Sequence, residues 1–264
     1  MRRITTTLLT LAAACALASV AHATVVPNGA AVITRVFDDC PVSILTVNNN
    51  FPALIEIDDQ NVNPPFCAGF ANLHTWRFSS DGGATPQQFL NGDTFEYSCT
   101  LRLTGIAGEG GLSLAPWWSP NPDGLFNVRS TDGEIAVFGG RLPFFTFTGA
   151  FGLHYVAGTD IQLGISYFPN GLSPGDPAKV VYNLRYNAVN YTSGLLSFDE
   201  GNAAEGHGTW GALTPWYAGG HMKMFVQTIG QPHGINGKWS AIQYTAGPTP
   251  SKKSSWSEVK KLYR

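Results

Sequence analysis

Five short stretches hold residue types whose spacing bears on chemistry. In "IEIDDQ" (residues 55–60), Glu56, Asp58 and Gln60 fall at alternate positions of an extended segment. Alternate side chains on a strand share a face, so Glu56 and Asp58 project together and Asp59 points the other way. A retaining glycosidase needs two carboxyls about 5 Å apart, one as nucleophile and one as proton donor. The third position here is an amide, which cannot donate a catalytic proton, so the triplet reads as solvent-facing strand acids. "GLSPG" (171–175) matches the G-x-S-x-G spacing of a nucleophile elbow, which requires strand, sharp turn and helix in that order. Pro174 follows the serine and "DPAKVVYNLRY" reads as a strand, so no helix N-terminus would face an oxyanion. Beyond the leader, the histidines (His74, His154, His207, His221, His233) lack HxxxH spacing, and no CxxC or Cys/His cluster suggests zinc.

The three remaining stretches concern binding. "SFDEGNAAEGHGTWG" gathers Asp199, Glu200, Asn202 and Glu205 in a glycine-rich loop. Hard oxygen ligands at that density suit calcium, although the order is not that of an EF-hand; the alternative is a solvated acidic loop. "APWWSP" and "TPWYAGG" place Trp117, Trp118, Trp216 and Tyr217 beside prolines and glycines at strand ends. An exposed ring there stacks on the apolar face of a sugar, with nearby polar groups fixing orientation. Where the strand continues, one ring of each pair faces the core and the other faces out; packing in the core is the competing use of all four.

The elements that position these residues are strands. Period-two alternation is clear in "TFEYSCTLRL", "DIQLGISYF" and "KVVYNLRYNAV", with one apolar and one wet face, as in antiparallel sheets. Shorter strand signals include "FFTFTG", "LHYVAG" and "TWGALTPWYA", and the last is "GHMKMFVQTI". Turn signals "SDGG", "NGD", "PDG" and "TDG" supply the positive φ that tight hairpins require. No helix of ordinary length is expected before residue 250, which excludes α/β architectures. No repeat of 40–50 residues marks a propeller. The expectation is an all-β, two-sheet antiparallel jelly-roll sandwich over residues 24–247, with 24–70 forming either its first strands or an irregular N-terminal attachment.

The ends differ from this body. Residues 1–23 combine two arginines, an apolar run and Ala21-His22-Ala23, which reads as a secretory signal peptide. The mature chain is thus expected outside the cell or at its surface, with no transmembrane segment. From Thr24 to Ser251 there are 9 Lys and Arg against 17 Asp and Glu, a net charge of −8. Such an acidic body argues against nucleic acid, whose phosphates demand a basic face. Cys40, Cys67 and Cys99 remain after cleavage. Cys99 alternates with Phe95, Tyr97, Leu101 and Leu103 and reads as a buried core residue. Cys40 and Cys67 are either a disulfide or two free thiols. Residues 248–264 change to a Pro/Thr/Ser/Lys linker and then "SWSEVKKLYR", where Ser255 and Glu258 form a capping box ahead of a short basic helix. A helix that short needs a partner, so the tail is read as a sorting or attachment tag, or else as a basic end without structure.

From about Trp76 to Gln227 the chain resembles the concanavalin A-like lectin/glucanase superfamily, which includes laminin-G-type jelly rolls. The stretches that carry this are "NGDTFEYSCTLRLTG", "GLSLAPWWSPNPDGLFNVRSTDGEIAVFGGRL", "AGTDIQLGISYFPNG" and "VVYNLRYNAVNYTSGLLSFDEG". The resemblance is one of pattern, without an invariant fingerprint. It implies a fold whose members bind glycans, cleave polysaccharides or mediate adhesion, and the fold by itself does not choose among these. The sequence-level expectation is a secreted, lectin-like protein that binds a glycan or cell-surface polymer without cleaving it. The rivals are a hydrolase of the same fold, with Glu109, Glu134, Glu96 and Asp199 as the acids to inspect, and a structural envelope module.

Overall fold

A computed structural model describes residues 25–64, 66–67, 69–198, 210–226 and 232–246. The proposed leader, the candidate calcium ligands Asp199, Glu200, Asn202 and Glu205, and the C-terminal tail lie outside the described residues. Fifteen strands run in chain order: β1 (Gly29–Asp38), β2 (Ile44–Asn50), β3 (Leu54–Asn61), β4 (Phe70–Ser79), β5 (Phe95–Gly105), β6 (Gly108–Pro116), β7 (Gly124–Arg129), β8 (Ile135–Phe138), β9 (Phe145–Thr146), β10 (Asp160–Phe168), β11 (Lys179–Tyr186), β12 (Val189–Thr192), β13 (Leu196–Ser197), β14 (Trp216–Val226) and β15 (His233–Ala246). Among the described residues one short helix, α1 (Phe147–Phe151), interrupts these strands.

The strands form two antiparallel sheets. One is seven-stranded, in the order β1-β4-β14-β6-β7-β8-β9; the other runs β12-β11-β10-β5-β15-β3-β2, with β13 beside β11. This is the two-layer sandwich that the alternation implied. The segment before residue 70 supplies three full strands, one to the seven-stranded sheet and two to the other, so it belongs to the sandwich.

Alternation dictates which side chains meet between the layers. In β5, Phe95, Tyr97, Cys99, Leu101 and Leu103 are buried while their neighbours are not. The core is largely aromatic. Trp76 packs edge-on against both Phe78 and Trp239, and Phe78 also meets Tyr97 at 5.5 Å. Two buried polar tips bond to backbone across the core: the Tyr97 hydroxyl donates to the Ser113 carbonyl at 2.9 Å, and Trp239 Nε1 donates to the Gly111 carbonyl at 3.1 Å. Cys99 is a buried free thiol, and Cys40 and Cys67 form a disulfide.

Four stretches depart from the sequence expectations. "TWGALTPWYA" is not a strand of its own: pairing begins at Trp216 and runs on through "GHMKMFV" as β14. "FFTFTG" gives only the two-residue β9, because the Thr146 hydroxyl accepts from the Gly149 amide and caps α1, which ends at Gly152 with φ 66°. "LHYVAG" forms no strand. There the buried Tyr155 hydroxyl bonds to backbone instead, accepting from the Leu103 amide at 2.8 Å and donating to the Thr159 carbonyl at 2.7 Å. The fourteen-residue β15, placed centrally between β5 and β3, has no counterpart in the strand signals, whose last member ends before it.

Candidate functional site

The outer face of the seven-stranded sheet carries a polar array. Registers place Lys223, Glu109 and Arg129 side by side on β14, β6 and β7, and in the next row Thr75, His221, Gly111 and Asn127 on β4, β14, β6 and β7. A third row begins Arg77, Gly219, Ser113. Thr75, Arg77, Glu109, Ser113, Asn127 and His221 are all buried, although they sit on the side away from the intersheet core.

Hydrogen bonding fixes the array. Asn127 Nδ2 donates to Glu109 Oε2 at 3.0 Å, which turns Asn127 Oδ1 toward His221 Nε2, also at 3.0 Å. With an oxygen as its partner, Nε2 carries the proton. Lys223 Nζ pairs with the other oxygen of Glu109. The result is a chain of four groups: imidazole, amide, carboxylate and ammonium. Burial pulls the His221 pKa down to about 4, with Lys223 acting in the same direction and Glu109 opposing. For Glu109, burial raises the pKa, but the Lys223 ammonium, His221 and Asn127 outweigh it and hold the carboxyl below its ordinary value. At neutral pH the array therefore holds a neutral imidazole and a carboxylate–ammonium pair.

The His221–Asn127 contact crosses β6, and Gly111 makes the crossing possible. Gly111 sits between them in register, and a Cβ there would lie 1.9 Å from the Phe126 carbonyl oxygen. The same residue's carbonyl takes the Trp239 indole bond inside the sandwich, so one glycine ties the outer array to the core.

At the other end of this face lie three of the four aromatic residues singled out from the sequence. The Arg77 guanidinium stacks 4.5 Å from the Tyr217 ring centre, and Arg77 Nη2 donates to the Pro120 carbonyl at 2.9 Å. It thereby pins the loop that holds Trp117 and Trp118. The Tyr217 hydroxyl accepts from Gln88 Nε2 at 3.1 Å. Trp117 and Trp118 are 48% and 40% exposed and meet edge-to-face at 5.8 Å. The inward–outward split belongs to a continuing strand; β6 ends at Pro116, so these two residues lie in a turn and the split does not apply to them. The split does hold at Trp216 and Tyr217, where β14 continues. Trp216 is 1% exposed and stacked on Phe89 at 4.7 Å, which makes it a core residue and not a ligand contact.

Most of the acids singled out from the sequence are engaged by other groups. Glu96 lies on β5, in the opposite sheet from Glu109. Glu134 pairs with Arg129 at 3.0 Å. Glu56 accepts from Asn236 at 2.8 Å and pairs with Lys238 at 3.0 Å, and Asp58 accepts from Gln60 at 2.6 Å. Asp59 does point the other way. It is buried between the sheets, where Asp59 Oδ2 accepts from His74 Nε2 at 2.8 Å and from Asn72 Nδ2 at 3.0 Å. The His74 Nδ1 accepts from the Arg35 amide, so this imidazole is held as the Nε2–H tautomer. Among the described residues no group of three His, Cys, Asp or Glu could hold a metal, and no helix is long and apolar enough to cross a membrane.

The His221 array escaped sequence reading because its members are scattered over three strands. The only available signal was an alternation of polar residues with glycine in "GEGGLS" and "AGGHMK", which marks the wet side of a strand but not its neighbours.

No protein-family model and no curated protein matches the sequence. Similar solved structures include an alginate lyase from polysaccharide lyase family 7, at 10% identity and a TM-score of 0.42, covering 77% of this chain and 82% of that one. The lectin UEA-II complexed with galactose is 12% identical with a TM-score of 0.39, covering 84% and 95%. A protein of unknown function from Shewanella oneidensis MR-1 is 8% identical with a TM-score of 0.43, covering 88% and 84%. A lectin and a polysaccharide-acting enzyme thus both stand among the structures similar to this chain, and its own pair of antiparallel sheets is the architecture that the concanavalin A-like resemblance implies.

Proposed function

We propose that this chain is a secreted, lectin-like glycan-binding protein whose binding face is the outer surface of the seven-stranded sheet. The observation that carries the reading is the Arg77 joint: one buried guanidinium stacks on Tyr217, anchors the Trp117–Trp118 loop, and shares a face with the hydrogen-bonded His221–Asn127–Glu109–Lys223 row. Rings beside fixed polar groups are what recognition of a sugar requires, since its faces are apolar and its rim is hydroxylated. The Cys40–Cys67 disulfide supports an oxidising destination, outside the cell or at its surface.

A second reading, a polysaccharide-cleaving enzyme, is favoured by one observation: a histidine in its neutral, unprotonated form shares this face with Arg77 and Tyr217. Glycan-array binding and release of reducing ends or unsaturated products are measured on the same purified protein. Binding without product release, weakened at least tenfold by Trp117→Ala with Trp118→Ala, is the expected result. Product release abolished by His221→Gln would replace the lectin reading with the enzymatic one. Binding that is indifferent to Trp117, Trp118 and Tyr217 would remove this face from consideration.

A further inference from the structure

The sandwich has a second polar face, on the other sheet, that the reading above does not use. A groove of about 470 Å³ lies there, and registers show how it is built. One row crosses five strands as Gln243, Ser98, Gly164, Asn183 and Thr192. The next row holds Thr100, Gln162, Arg185 and Asn190. With strands about 4.8 Å apart, five of them span about 19 Å, so the groove runs across the sheet rather than along one strand.

Two backbone features shape it. Gly164 forms the floor at the centre of β10. A glycine inside a strand costs about 0.5–1 kcal/mol relative to alanine, and here no crowding demands it. A Cβ at this position would meet Ser98 Cβ at 3.4 Å and Asn183 Cβ at 3.7 Å, which is ordinary contact, and its φ is not left-handed. What the missing side chain supplies is depth. At one end the ladder between β15 and β5 slips between Ser240 and Gln243, and Ala241 takes φ 49°. That bulge raises a wall beside Gln243.

The chemistry of the lining selects the ligand. Amides and hydroxyls dominate, and each both donates and accepts, as sugar hydroxyls do. One carboxylate, Glu96, and one guanidinium, Arg185, cancel, leaving the groove without net charge. The lining offers no cationic field for a polyuronate or a phosphate. Tyr191 pairs in register with Leu184, whose side chain faces the core, and its ring meets Phe151 at 5.1 Å, so it does not stand in the groove as a stacking platform. We infer that this groove is a second carbohydrate site, independent of the seven-stranded face, that holds a neutral oligosaccharide chain crosswise by hydrogen bonds to amide and hydroxyl side chains.

The test uses the mature protein made in a host that does not N-glycosylate, because Asn190 begins an Asn-Tyr-Thr sequon on the groove wall. Amide chemical shifts are followed while β-gluco-, β-manno- and β-galacto-hexasaccharides are titrated to millimolar concentration, with a hexagalacturonate alongside. At least one neutral hexasaccharide is expected to shift Ser98, Gln162, Asn183 and Gln243 saturably. Gly164→Gln, which fills the floor where a side chain fits, should weaken that binding at least tenfold while leaving the melting temperature within a few degrees. Trp117→Ala with Trp118→Ala should leave it unchanged. If none of the neutral chains shifts these residues, or if Gly164→Gln binds like the wild type, or if the galacturonate binds there more tightly, the inference fails. Because the two faces report through separate resonances and separate variants, failure here leaves the seven-stranded face to stand or fall alone.

Discussion

Replacing Asn127 with leucine keeps roughly the shape of the side chain and removes both of its bonds. His221 Nε2–H then loses its acceptor and Glu109 Oε2 loses its donor, while Lys223 remains on the other carboxylate oxygen. A buried polar group left without a partner costs about 1–3 kcal/mol. Two such groups give a loss of about 4 kcal/mol, which at about 2–4 °C per kcal/mol for a chain of this size lowers the melting temperature by about 8–16 °C. His221→Phe alone strands only the Asn127 carbonyl oxygen and should cost about 1–2 kcal/mol. In the double variant neither the imidazole N–H nor the Asn127 carbonyl exists to be stranded and only Glu109 Oε2 lacks its donor, so the cost should fall short of the sum of the singles by about 3–4 kcal/mol. Urea unfolding followed by tryptophan fluorescence, with calorimetry on the same four proteins, closes the cycle. Additivity within about 0.5 kcal/mol would show that His221 and Asn127 do not act as a unit, and the described array would then be wrong at its central contact.

Acid should act on two groups in separate windows. His221, with a folded pKa of about 4 against an ordinary 6.5, is charged more readily in the unfolded chain, so stability falls as pH drops from about 6.5 to about 4, by about 3 kcal/mol. Guanidinium unfolding at stepped pH reads this, and His221→Gln should flatten the slope in that window. Asp59 behaves in the carboxylate sense. Burial raises its pKa, but bonds from His74, Ser43 and Asn72 prevail and hold it below 3.8, so its contribution persists above 3.8 and is lost as pH falls further. Removing the disulfide with Cys40→Ser and Cys67→Ser frees a loop of 27 residues in the unfolded chain and should cost about 3.5 kcal/mol, read as a lower urea midpoint. The Cys99 thiol, pushed up by full burial, should resist iodoacetamide in the native protein and react only on unfolding; native labelling at wild-type stability would contradict its place in the core.

What the sequence disclosed followed from locality. The faces of β5, β10 and β11 were legible because their alternation is regular over eight or more residues and faces a core on one side only. The inward turn of Asp59 was legible for the same reason. β15 was not, because Gly234, Gly237 and Asn236 break its apolar run and only Ile235, Trp239 and Ile242 mark the buried side. Its inner positions are small where Trp239 and Met222 need room: a Cβ on Gly237 would stand 2.8 Å from the Trp239 ring. The orientation of the Trp117–Trp118 pair stayed open in the sequence because the end of a strand is set by where pairing stops, and that depends on β14, a hundred residues away. The partners of His221 were beyond reach because register, not spacing, brings β14, β6 and β7 together.

The two outer faces solve opposite problems with the same material. On the seven-stranded sheet, the polar row is buried and tied by its own hydrogen bonds, so the Arg77–Tyr217 stack and the Trp117–Trp118 loop beside it rest on a framework ordered before a ligand arrives. On the eight-stranded sheet, the polar side chains of the groove are mostly exposed, so a ligand must order them itself. Preorganisation favours tight, selective binding, and a solvated amide groove favours weak, tolerant binding repeated along a chain. A molecule with one face of each kind can hold one glycan firmly while resting against another. The two dissociation constants should therefore differ, with the His221 face the tighter and Asn127→Leu narrowing the gap. Equal affinities at the two faces, unchanged by that substitution, would deny any role to the buried hydrogen bonds.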